Sequence, residues 1–272
     1  MREGDVSVGG LSLAYLEDGP ADGPLALCLH GFPDSAYTWR HLLPALADAG
    51  YHAVAPWLRG YAPSGLAPDG RYTSSAIVDD ADALHAALGG DERAVLIGHD
   101  WGALGAYGAA AAGPERWSKL VTMAVPPMSV FGAAFLSYDQ IRRSFYIYFF
   151  QTPFAEMAVG ADDLAFLDRL WADWSPGFDA AEDVAHVKDA LRAPEHLSAA
   201  LATYRAMFQP DPHTRPDWPL PQPWLYVHGR NDGCIGVEFA PPDALIIEDA
   251  GHFCHVERPD VVNAAVLRFL AD

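Results

Sequence analysis

Ala94-Val95-Leu96-Ile97-Gly98-His99-Asp100-Trp101-Gly102 is the stretch that decides the fold. Four apolar residues run without interruption into a glycine, as in a short strand covered on both faces. From Leu104 to Ala112 the chain then reads as a helix. Between the two, Gly98 and Gly102 bracket Asp100, the pattern of a sharp strand-to-helix turn that holds a nucleophile up at a sheet edge. A carboxylate in that place is ionised at neutral pH and can attack an sp³ carbon to form an ester. It attacks an amide poorly, which disfavours a protease. The plainer reading makes Asp100 a cap for the helix that follows.

The same rhythm extends to both sides. Leu25–Leu29 and Ala53–Ala55 before it, and Leu120–Ala124, Trp224–Val227 and Ala244–Ile247 after it, are short apolar runs bounded by turn residues. Leu42–Ala49, Ser75–Leu88 and Val261–Leu270 read as helices, the first placing Leu42, Leu43, Leu46 and Ala49 on one face. This alternation predicts an α/β protein with a mostly parallel sheet flanked by helices. From about Pro126 to Pro216 the rhythm breaks, and aromatic-rich helical patterning takes over. One sheet domain with a helical insertion between two strands is the simplest account.

The 272 residues include 17 basic and 36 acidic side chains, a formal net charge of −19. So few cations cannot track a phosphate backbone, and nucleic acid is excluded as the main partner. An apolar fraction of 51% suffices for a large core and excludes wholesale disorder. Cys28, Cys234 and Cys254 are too scattered for a disulfide framework, and no C-x-x-C motif suggests a metal. The first residues lack the apolar core of a signal peptide. The most apolar stretches, near Ala103–Ala112 and Ala124–Leu136, fall short of the roughly 20 residues of a membrane span. A reduced, cytoplasmic protein with no membrane contact is expected.

Partners for Asp100 follow in the chain order nucleophile, acid, histidine. Asp232 closes the strand-and-turn segment Leu225–Asp232, and His252 follows the last strand and precedes a helix. In such a site His252 activates water, while Asp232 fixes its tautomer and stabilises the imidazolium. Upstream, Leu29-His30-Gly31-Phe32-Pro33 leaves another strand. Gly31 lets the backbone turn so that the N–H groups of Phe32 and Trp101 form an oxyanion hole. Each motif also has a structural reading, as a turn residue, an inert loop histidine or a tight loop.

Four segments, HGFPDSAYTWR (His30–Arg40), GHDWG (Gly98–Gly102), GRND (Gly229–Asp232) and GHFCHVERP (Gly251–Pro259), together resemble the α/β-hydrolase superfamily. Within it they look like the branch of epoxide hydrolases and haloalkane dehalogenases, which the aspartate nucleophile separates from esterases and lipases. The resemblance spans nearly the whole chain. It implies an α/β-hydrolase core over residues 1–126 and 217–272 and a helical cap, or lid, over 127–216. Ser144–Pro153 resembles the epoxide hydrolase cap segment in which a tyrosine lies five residues before a glutamine, giving Tyr146. Leu201–Arg205 resembles the second cap segment, in which a tyrosine precedes an arginine, giving Tyr204. Pro126-Pro127 stands where many of these enzymes have histidine-proline, so the cap entrance differs.

Epoxide and carbon–halogen cleavage differ in the leaving group. An opening epoxide develops alkoxide character and needs a proton donor of high pKa, such as a phenol. A departing halide needs only N–H donors. Tyr146 and Tyr204 therefore favour vicinal diol formation from an epoxide, with Tyr148 as the substitute phenol. Phe32 stands where many dehalogenases place an asparagine, although the Trp101 indole could hold a halide. Phe32, Trp101, Tyr148, Trp171 and Trp174 are expected to contact substrate, the last two alternatively as core anchors. A haloalkane dehalogenase using the same triad, and a non-hydrolysing ligand-binding receptor on the same fold, are the competing readings. No cofactor or metal is expected; the partner is a small-molecule epoxide, and monomer and homodimer stay open.

Overall fold

Runs such as LALCL and HAVAP form strands because β-branched and leucine side chains are covered on both sides. The computed structural model describes residues 1–214 and 216–272, with Val130 and Ala133 described by their backbone only. In chain order the strands are Arg2–Val8 (β1), Leu11–Asp18 (β2), Leu25–Leu29 (β3), His52–Pro56 (β4), Val95–His99 (β5), Lys119–Met123 (β6), Trp224–Gly229 (β7) and Leu245–Ile247 (β8). They make one sheet in the order β1-β2-β4-β3-β5-β6-β7-β8. β1 pairs antiparallel with β2, and β2 with β4. Every other neighbour pair is parallel. Every residue of β3, β4 and β5 is buried. Full burial of one such Leu, Ile or Val side chain contributes about 1.5–3 kcal/mol.

The helices Leu42–Asp48 (α1), Ser74–Ala87 (α2) and Trp101–Ala112 (α3) lie between the strands of the first half. Between β6 and β7 come Met128–Phe131 (α4), Tyr138–Arg143 (α5), Phe145–Phe149 (α6), Ala155–Val159 (α7), Ala165–Trp174 (α8), Ala181–Leu191 (α9) and Pro194–Ala206 (α10). Cys254–Glu257 (α11) and Pro259–Ala271 (α12) close the chain. α1 packs on β4 and against α12, while α3 packs on β5 and against α2. Among the described residues no helix is long and apolar enough to cross a membrane.

Two features depart from the sequence reading. The antiparallel hairpin of β1 and β2 is additional; it turns at Gly9-Gly10, both at positive φ, with Val6 and Val8 alternating before it. α3 begins at Trp101 rather than Leu104, because Asp100 alone absorbs the turn at φ 52° and ψ −118°. That conformation is costly for a residue with a side chain. The glycines around it make it possible: a Cβ on Gly102 would collide with the Leu29 carbonyl, and one on Gly31 with the Asp100 carboxylate.

Candidate active site

Parallel strands end at the same edge, and the chemical groups sit on the loops that leave it. Phe32 follows β3, Asp100 follows β5, Asp232 follows β7 and His252 follows β8. All four are buried. His252 Nδ1–H donates to Asp232 Oδ2 at 2.9 Å. The other oxygen of Asp232 accepts from the N–H groups of Cys234 (2.7 Å) and Ile235 (2.8 Å), so the acid cannot turn away. This leaves His252 Nε2 facing Asp100 Oδ2 at 3.7 Å, with no hydrogen-bond partner. Asp100 Oδ1 accepts from the Phe32 N–H at 2.8 Å. Trp101, as the first residue of α3, has an N–H with no partner within the helix.

The electrostatics hold the three groups charged. Burial would raise the Asp100 pKa, but His252, His99 and the Phe32 N–H more than offset it, and the carboxyl stays below its usual value. Burial alone would lower the His252 pKa; Asp232 and Asp100 overcome this and push it up to about 10. Burial works against the Asp232 anion too, and His252, His228 and the Ile235 N–H outweigh it.

A small cavity of about 40 Å³ opens over Asp100, lined also by Trp101, Tyr146 and Tyr204 and by apolar side chains that include Leu104, Met128, Phe131 and Met207. Tyr146 comes from α6 and Tyr204 from α10, and their rings meet edge to face at 5.5 Å. Tyr204 Oη is buried without a hydrogen-bond partner, and Tyr146 Oη lies 3.3 Å from Cys234 Sγ. Burial raises both phenols well above their usual pKa, which keeps them protonated at neutral pH.

Three of the residues expected to contact substrate stand elsewhere. Tyr148 is 40% exposed and packs beside Phe208, because α6 turns that face outward. Trp171 is buried, stacked on Phe253, and its indole N–H donates to the Pro33 carbonyl at 2.8 Å. Trp174 packs its ring against His252, and its carbonyl accepts from the N–H groups of both His252 and Gly233 at 3.0 Å. These two are anchors. Phe32 contributes its N–H, while its ring packs edge-on to Tyr204 and Phe150.

Supporting residues that sequence reasoning passed over include His30 and His228. His30 Nδ1–H donates to the Gly31 carbonyl and Nε2 accepts from the Leu58 N–H, which fixes the loop carrying Phe32. His228 lies between the Tyr226 hydroxyl (2.8 Å) and the Ile235 carbonyl (3.1 Å), bracing the loop of Asp232. A histidine at or just past the end of the strand before each motif was the available signal. Among the described residues two buried groups carry metal-ligand atom types, Asp232–Cys234–His252 and Asp34–His99–His255. In the first, burial holds the Cys234 thiol protonated and Asp232 is committed to His252. In the second the ligand atoms lie within 4.8 Å of one another.

With this geometry established, residues 24–259 match the family model described as alpha/beta hydrolase fold. The chain is 32% identical to the AB hydrolase superfamily protein YfhM of Bacillus subtilis (strain 168) over 97% of its own length and 96% of the relative's. It is 32% identical to epoxide hydrolase 4 of Homo sapiens, over 97% and 76% of the two chains. This chain belongs to the epoxide hydrolase family of α/β hydrolases. Among solved structures this hydrolase resembles epoxide hydrolase A from Mycobacterium thermoresistibile, with a TM-score of 0.81, 29% identity and coverage of 99% and 98%. The family also explains the sheet order, in which the parallel strands β3 to β8 follow an antiparallel pair.

Proposed function

We propose that this hydrolase opens small-molecule epoxides to vicinal diols through a covalent ester on Asp100. One observation carries the reading: a held carboxylate and two neutral phenols, on Asp100, Tyr146 and Tyr204, line one small cavity. Asp100 Oδ2 attacks an epoxide carbon and the ring C–O bond breaks. The departing oxygen takes a proton from Tyr146 or Tyr204. Once esterification has removed the Asp100 anion, the His252 imidazolium gives up its proton to the phenolate; the neutral imidazole then removes a proton from water, and the hydroxide adds to the ester carbonyl carbon of Asp100. The oxyanion on Oδ1 is held by the N–H groups of Phe32 and Trp101. Collapse expels the second diol oxygen, which takes its proton from the His252 imidazolium, and the Asp100 carboxylic acid returns a proton to His252, restoring the carboxylate–imidazolium pair.

Residues 127–216 act in this reading as a lid that supplies the phenols, over a core of residues 1–126 and 217–272. Three buried free thiols, on Cys28, Cys234 and Cys254, suit a reducing compartment such as the cytoplasm. The Trp101 indole on the same cavity favours the second reading, a haloalkane dehalogenase, which halide release from a bromoalkane would reveal. The deciding experiment is a single turnover with enzyme in excess in ¹⁸O-water. The first diol should carry no label, which stays on Asp100; label appearing directly in that diol would overturn the covalent route.

A further inference from the structure

The cavity over Asp100 has about 40 Å³, room for roughly three water molecules. An epoxide with any substituent needs more. A second cavity of about 270 Å³ shares four lining residues with the first: Trp101, Leu104, Met128 and Met207. Leu104, Met128 and Met207 are half-buried, and methionine is the side chain that yields most readily to a passing ligand. Val78 and Gly108 continue the apolar lining of the larger cavity, whereas Ser74, Ser75, Thr214 and Asp217 supply its polar part. Ser75 hydroxyl donates to Asp211 at 2.6 Å, and Asp217 accepts from the Ser129 N–H at 3.2 Å. Among the described residues no cationic side chain lines this space.

We propose that the larger cavity is the tail chamber of the substrate site, joined to the reaction cavity through a neck of Leu104, Met128 and Met207. The substrates are then terminal epoxides on a slim apolar tail whose far end is neutral and able to hydrogen-bond, such as an alcohol, and not a carboxylate. This rests on the epoxide reading above. The two volumes carry the argument: the reactive carbon fits beside Asp100 only if the rest of the molecule lies through the neck. Burial of the tail raises kcat/KM with chain length, and the Asp217 carboxylate repels an anionic end.

The test measures kcat/KM on the full chain for 1,2-epoxybutane, 1,2-epoxyoctane, 7,8-epoxyoctan-1-ol and 7,8-epoxyoctanoate. The eight-carbon alkane epoxide should exceed the four-carbon one at least tenfold, and by about 200-fold at most if all four added methylenes are buried. The carboxylate should fall at least tenfold below the alcohol, and Asp217→Asn, which keeps an acceptor for the Ser129 N–H, should narrow that gap. Met207→Phe should bring the eight-to-four-carbon ratio down toward one. Equal kcat/KM for the two alkane epoxides, or for the alcohol and the carboxylate, would overturn the tail chamber while epoxide hydrolysis stands. Turnover of none of the four, in protein shown folded by circular dichroism, would remove both readings. The wild-type series decides even if Met207→Phe fails to fold.

Discussion

His252 and Asp100 depend on each other for their charge, and in the proposed mechanism that dependence would set the timing of the reaction. Asp100 and Asp232 together hold the imidazole proton on up to about pH 10. The proposed esterification would remove one of the two anions, so the proton affinity of His252 would fall at the step where the proposal needs a base. Replacing Asp100 with Asn mimics that loss: His252 should bind its proton at least tenfold more weakly than in the wild type, as followed by ¹⁵N NMR titration of the ring. An unchanged titration would mean that Asp100 does not hold the imidazolium. The phenols make the complementary case. Tyr146→Phe with Tyr204→Phe removes both proposed proton donors and should lower kcat for epoxide opening by about 10²–10⁴. Each single change should cost less, since the remaining phenol lines the same cavity.

At the scale of elements, the position of Tyr204 depends on how α10 is tied to α6 and α7. Arg205 Nε donates to the Phe150 carbonyl at 2.9 Å and Nη2 to Glu156 at 2.8 Å, while Gln151 reaches the Tyr204 carbonyl at 3.0 Å. Lysine cannot reproduce that fork. Arg205→Lys should lower kcat about three- to tenfold and Tm by about 2–4 °C, with KM little changed, in steady-state kinetics and thermal scans. The sheet elements were legible because LALCL, AVLI and WLYV are continuous apolar runs whose burial is decided locally. β1 was not, since Arg2, Glu3 and Asp5 mask its alternation and it pairs only through its neighbour β2. Tyr148 was misplaced, and Trp171 and Trp174 were left open between pocket walls and core anchors, for another reason. Aromatic residues packed around a site and those facing into it look alike in sequence, and only the rotation of α6 and α8 separates them.

Across the whole molecule, a net charge of −19 loads the folded state with self-repulsion. Raising NaCl from 10 to 150 mM shortens the range of that repulsion and should raise Tm by about 2–4 °C. A Tm that does not rise would show that local ion pairs, such as the buried Arg40–Asp183 contact between the core and α9, outweigh it. The motifs for Asp100, Asp232 and His252 were readable because each needs its own turn chemistry, whereas Met128 and Met207 come to line the same cavities only through tertiary packing and carry no local mark. The carbonyl at the end of α8 has a last consequence. The Trp174 carbonyl accepts hydrogen bonds from the N–H groups of His252 and Gly233, one on each of the loops that carry His252 and Asp232. Transplanting helices between relatives to change selectivity must therefore leave this stretch with the sheet and loops of its own chain: a graft boundary drawn through it would unseat His252, while one drawn near Met128 would not.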